Sequence, residues 1–182
     1  MATNRKVDRR TIISEKLIRD AFFECLNEKG TLEEVFVKDI CKLAGLNRST
    51  FYKHYKNCPD LLEQLANEES QEMKDIFSGS EELFSRENAV KMAAVLERNA
   101  DLNTAYANGL IGDGLENKIM DAIREICLSS WKKPLTKSKK KKAEMISSAA
   151  AAAFVELLII NPGKYTVKDT FALLSGMLES AM

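Results

Sequence analysis

The twenty residues from Val37 to Lys56, VKDICKLAGLNRSTFYKHYK, constrain what this chain can fold into more than any other stretch. Val37, Ile40, Cys41 and Ala44 recur at helical spacing and give a first helix one narrow apolar face. Gly45 stands where that helix must stop and the backbone must turn back, a position that favours positive φ. Leu46 is expected to bury in the corner. Asn47 is expected to cap the next helix, its side-chain oxygen accepting from the amide of Ser49 or Thr50. That helix is short. Phe51 and Tyr55 lie four apart and hold it to the core, which turns Arg48, Ser49, Tyr52, Lys53 and Lys56 outward.

Such a face, with one guanidinium, two ammonium groups and an aromatic hydroxyl, is poor core material and suits a DNA groove. In a helix-turn-helix the second helix lies in the major groove, its N-terminal residues reach base edges, and flanking groups hold phosphates. The run Asp39-Ile40-Cys41, the run from Ala44 to Tyr55 (AGLNRSTFYKHY) and Leu61-Leu62 resemble the N-terminal signature of TetR/AcrR-type transcriptional regulators. The resemblance covers roughly residues 9 to 66 and fixes residue types across three helices. It implies an all-α homodimer with an N-terminal three-helix DNA-binding domain and a C-terminal helical domain for dimerisation and effector sensing. It also implies that Arg48 and Ser49 face bases while Tyr52, His54 and Lys56 hold the DNA backbone. Three departures from the pattern are present: Phe36 stands in place of a phosphate-binding Thr, Cys58-Pro59 in place of Lys-Glu, and the approach from Gly30 is one residue longer.

The domains expected are 1–57, the helix-turn-helix domain, and 58–182, the effector and dimerisation domain. Residues Asn47 to Lys53, Thr50 included, are expected in a major groove of a palindromic operator. Arg48 is the base-reading candidate, since a guanidinium can bond guanine O6 and N7 together. Lys38, Tyr52, His54 and Lys56 are the phosphate candidates, with Arg9 or Arg10 from the polar N-terminal arm beside them. His54 is the only histidine. No His-based metal cluster or His-dependent triad can therefore form within one chain, and no metal or cofactor is expected.

Elsewhere the periodicity is helical. A first helix is expected from Arg9 to Lys29, with Ile13, Leu17, Ala21 and Cys25 as one row beside Ile18, Phe22 and Leu26, closed by Gly30. Asn57 and Asp60 are expected to cap a helix running to Phe77, with Pro59 in its first turn. Ser78-Gly79-Ser80 then breaks the chain. Further helices are expected near 81–98, 101–110, 113–131, 140–160 and 167–181. The last two are strongly apolar, and the pair from each of two protomers would form a four-helix homodimer interface. The lysine-rich run from Lys137 to Lys142 reads as a solvated loop and helix start.

Charge is balanced over the chain at 27 basic and 27 acidic residues, yet residues 1–56 carry +4 and residues 57–182 carry −4. The positive end coincides with the motif. No signal peptide and no apolar run of membrane length is read, so a cytoplasmic location is expected. Cys25, Cys41, Cys58 and Cys127 lack ligand or disulfide spacing and read as buried thiols. No phosphate-binding glycine loop, nucleophile elbow or HExxH pair is present, so catalysis is not expected.

The function implied is a DNA-binding transcriptional regulator, by default a repressor whose operator affinity is set by a small-molecule effector. Phe77, Phe84, Tyr106 and Trp131 are the candidate effector-pocket residues. Two alternatives stand beside this reading. One is an activator or co-regulator whose C-terminal domain docks a protein; the other is a helical interaction module that does not bind DNA.

Overall fold

A computed structural model describes residues 9–80, 82–129, 131 and 136–179. The arm before Arg9, Pro134 and the end expected for the last helix lie outside the described residues. The fold is all-α, with no strand among the described residues. The chain divides into two compact units, Met1–Glu63 and Gln64–Met182.

The first unit is built from α1 (Arg9–Lys29), a 3₁₀ turn (Leu32–Glu34), α2 (Val37–Ala44), α3 (Arg48–His54) and the start of α4 (Cys58–Phe77). α2 and α3 both pack on α1. Ile18, Ala21, Phe22, Phe23, Cys25 and Leu26 of α1 are buried, and the Phe22 and Phe23 rings meet edge to face at 5.2 Å. Ile13 and Leu17 depart from expectation. They are 51% and 39% exposed. At 3.6 residues per turn, an i,i+4 row rotates about 40° per step, so a row buried at Ala21 and Cys25 has left the core face by Ile13.

Gly45 has the expected left-handed conformation, φ +66°. Leu46 N–H donates to the Cys41 carbonyl at 2.9 Å and Gly45 N–H to that of Lys42 at 3.4 Å, closing α2 as a Schellman motif. At the start of α3 the outcome differs: the Asn47 side chain makes no cap hydrogen bond. Its backbone carbonyl instead accepts from the amides of Thr50 and Phe51, at 2.8 and 3.4 Å. Three residues beyond the end of α3, side chains do close a cap, at the start of α4. Asn57 Oδ1 accepts from the Asp60 amide at 2.8 Å while Asp60 Oδ2 accepts from the Lys56 amide at 2.8 Å. Asn57→Ala is therefore expected to destabilise the first unit by about 1 kcal/mol and Asn47→Ala by no more than a few tenths. Hydrogen exchange of the first-turn amides of α3 and α4 measures both.

The second unit holds the rest of α4, then α5 (Arg86–Arg98), α6 (Ala100–Ala107), α7 (Gly114–Ser129), α8 (Lys137–Phe154) and α9 (Val167–Glu179). α5 starts later than the apolar pattern suggests, because the Ser85 hydroxyl accepts from the Asn88 amide and caps it there. Asn88 Nδ2 then ties down the preceding loop through Ser80 Oγ and the Glu82 and Leu83 carbonyls. α8 packs against α7 and α9, and α9 also packs on α5. Thr136 caps α8 by accepting from the Lys139 amide, so the lysine run forms the exposed first turns of this helix.

α8 continues through a π-helical segment, Val155–Ile160. Together, Lys137–Ile160 are long and apolar enough by composition to span a membrane, which corrects the expectation that no such run exists. In this fold the helix fills a core instead, burying Ala143, Ser147, Ala150, Ala151 and Phe154. A second set of its side chains points out: Met145, Ala149 and Ala152 are exposed, as are Leu173 and Gly176 on α9.

Candidate nucleic-acid interface

The turn between α2 and α3 exists because three local choices agree. Ile40 and Cys41 anchor α2, Gly45 reverses the chain, and Phe51 and Tyr55 anchor α3 from within, 0% and 7% exposed. Their rings lie 5.6 Å apart. With that side of α3 committed to the core, Asn47, Arg48, Ser49, Tyr52 and Lys53 are all exposed, while Thr50 is half-buried. Tyr52 is 57% exposed and its ring stands perpendicular to Phe51 at 5.7 Å, so the phenol is steadied without being covered.

Lys38 and Lys56 flank this surface in sequence and are likewise exposed. Lys38 Nζ lies over the ring of Phe36, 5.3 Å from its centroid. Phe36 is 54% exposed and precedes α2 without a side-chain cap, which a Thr there would supply. Arg9 and Arg10 are exposed at the start of α1. Among the described residues, none of Lys38, Arg48, Lys53 and Lys56 is held in an ion pair. Their charge faces water and is available to an anion.

His54 is placed differently. Its side chain is 11% exposed, with Nδ1 3.1 Å from Glu15 Oε1 and Nε2 3.1 Å from Ser14 Oγ. Both ring nitrogens are thus engaged on α1, and the ring ties the C-terminal end of α3 to that helix rather than presenting itself beside Tyr52. Ser14 and Glu15 were invisible as functional residues in the sequence. They lie 40 and 39 residues from His54, and no local pattern links them.

The thiols are buried, as their apolar positions suggest. Burial pushes Cys25 and Cys41 up from the ordinary thiol value, with nearby Arg48 opposing the shift at Cys41. Burial lifts Cys58 to about 11 and Cys127 to about 12. All four stay protonated and poorly nucleophilic near neutral pH.

The four aromatic candidates in the second unit do not form one lining. Phe77 and Phe84 pack together at 6.2 Å, and Phe171 of α9 joins both rings, at 6.1 and 5.1 Å. The Tyr106 hydroxyl donates to Glu116. Burial, then that carboxylate, pushes the phenol's pKa well up. Trp131 follows α7, its amide donating to the Leu128 carbonyl. A cavity of about 260 Å³ in this unit is lined by other residues, from α5, α6, the π-helical segment and the approach to α9.

An all-α chain with a tight glycine turn, a core-anchored second helix and an exposed cationic outer face is a helix-turn-helix protein. No family model matches the chain. It is 30% identical over 94 residues to the uncharacterized HTH-type transcriptional regulator YxbF of Bacillus subtilis (strain 168), a match covering 50% of this chain. The matched part spans about a quarter of that relative, 25% of its length. Among solved structures, the chain is similar to the TetR family repressor AlkX from Dietzia sp. strain DQ12-45-1b, implicated in biodegradation of n-alkanes. That similarity has 18% identity and a TM-score of 0.48, and covers 92% of this chain and 94% of AlkX.

Proposed function

We propose that this chain is a TetR-type transcriptional regulator that binds double-stranded DNA through α3 and acts as a homodimer on a palindromic operator. One observation carries the reading: α3 buries Phe51 while Arg48, Ser49, Tyr52 and Lys53 stand exposed on its other side. The similarity to a helix-turn-helix regulator supports it. Arg48 reads bases, assisted by Asn47, Ser49 and Thr50. Lys38, Tyr52, Lys53 and Lys56 hold phosphates, with Arg9 or Arg10 beside them. His54 acts on this surface as a positioning residue, through Glu15 and Ser14.

The exposed apolar residues Met145, Ala149 and Leu173 on α8 and α9 support a second copy of the chain as the partner. Small side chains let helix axes approach closely, and two such helices from each protomer make a four-helix contact. Two reading heads then meet half-sites about one helical turn apart on one face of the DNA. Repression is the default mode, a small-molecule effector bound in the second unit sets operator affinity, and the protein works in the cytoplasm without catalysing a reaction.

Fluorescence anisotropy with DNA from upstream of the chain's own gene tests the reading. Affinity is expected to fall steeply with salt, with a log–log slope that counts the phosphates neutralised. Preference over random duplex should survive across the salt series. An absence of binding to either DNA at low salt would refute the proposal.

A further inference from the structure

Phe36 is set outward by the backbone around it. Val35 and Phe36 are both extended, at φ −88°, ψ 120° and φ −114°, ψ 142°, and successive side chains of an extended chain point to opposite sides. Val35 takes the core side and is buried, which leaves Phe36 in water, 54% exposed. Entry into α2 does not use the ring: the Phe36 backbone carbonyl accepts from the Asp39 and Ile40 amides, at 2.9 and 3.2 Å. What the ring does carry is Lys38, whose Nζ lies 5.3 Å from its centroid. Within a helix, residues two apart do not face each other. These two meet because Phe36 stands before α2, in extended backbone.

A ring holds a lysine in a way that a carboxylate cannot. A carboxylate in the same place would fix the ammonium and cancel its charge. The face of a Phe ring attracts the cation through its quadrupole but has no net charge, so the positive charge of Lys38 stays whole. Lys38 is in none of the ion pairs among the described residues. A lysine free in water loses rotamer freedom when it grips a phosphate. One that already rests on a ring has given up part of that freedom beforehand.

We propose that Phe36 is a positioning residue for DNA binding: its ring holds the Lys38 ammonium, still fully charged, in place to meet a backbone phosphate. The role rests on the DNA-binding reading above. It adds to that reading a side chain with neither charge nor hydrogen-bond donor, which acts only through its neighbour.

A double-mutant cycle on the full chain tests the role, with Phe36→Leu, Lys38→Gln and the double variant compared by anisotropy on the upstream duplex and on random duplex. Leucine keeps apolar bulk without the π-face, and both positions are exposed, so no cavity opens. Phe36→Leu should weaken binding about two- to fivefold, the size of an exposed cation–π contact, and should cost nothing further once Lys38 is Gln. The loss should be equal on the two duplexes, because phosphates carry no sequence. Phe36→Trp, with a stronger π-face, should match or exceed the wild type. NMR of the free chain reads the contact without DNA: the Lys38 ε-methylene resonances should lie upfield by ring current and return to ordinary positions in Phe36→Leu. An equal loss with and without Lys38, a loss on the upstream duplex alone, no loss at all, or an unshifted Lys38 would each overturn the role while DNA binding stands. Absence of binding by the wild type to either duplex would instead overturn the DNA-binding reading, and this role with it.

Discussion

Replacing Phe51 with alanine is expected to unfold the reading head while leaving the second unit intact. Phe51 is fully buried, and its ring packs against both Tyr52 and Tyr55. α3 is a seven-residue helix, too short to persist without tertiary contacts. Truncating a buried Phe costs about 3–5 kcal/mol through lost transfer free energy and the cavity left behind. Whole domains are stable by only about 5–15 kcal/mol, so a unit of this size loses much of its margin. Hydrogen exchange read by mass spectrometry measures the effect region by region. Exchange over 37–54 should accelerate by about a hundredfold or more, at 1.4 kcal/mol per factor of ten, while the α7 segment 114–129 keeps its wild-type protection. Unchanged protection of 37–54 would mean that α3 is held by contacts other than this ring.

Arg48→Ala is expected to leave the fold unchanged and to remove much of the operator preference. Arg48 is exposed at the first position of α3 and takes part in no ion pair among the described residues. Its loss therefore frees no buried charge and opens no cavity. A bidentate guanidinium–guanine contact discriminates by about 1–3 kcal/mol, or roughly tenfold to over a hundredfold. In anisotropy, affinity for the operator should drop by that factor. Affinity for random duplex should fall much less, because the phosphate contacts proposed for Lys38, Lys53 and Lys56 would remain. A mutant that weakens equally on both DNAs would make Arg48 a phosphate ligand and move base readout to Asn47, Ser49 or Thr50.

Much of the first unit was legible because its geometry is set by short-range rules. A glycine after a helical apolar face forces the turn at Gly45. A four-residue spacing of aromatics puts Phe51 and Tyr55 on one side of α3, and Asn57 with Asp60 closes a cap through bonds spanning three or four residues. Local rules also misled. Asn47 has the residue type of a cap, but its side chain makes no cap bond and its backbone carbonyl serves instead. The row from Ile13 to Cys25 obeys helical spacing, yet its first half leaves the core face as the helix rotates.

What the sequence by itself determined is the all-α class, the helix-turn-helix and the residues on the outer side of its second helix. Each depends on chain neighbours within about one or two helical turns. Only the tertiary structure decided what the isolated polar residues do. His54, which outwardly matches a phosphate ligand, lies against Glu15 and Ser14. Phe77 and Phe84 pack against Phe171, about ninety residues on. Asn103 meets Glu69, 34 positions earlier, and borders a cavity whose walls come from separate helices. A helical period records which face of a segment is apolar, but not which distant face it meets. Pairings across tens of residues are settled by how several such faces pack at once.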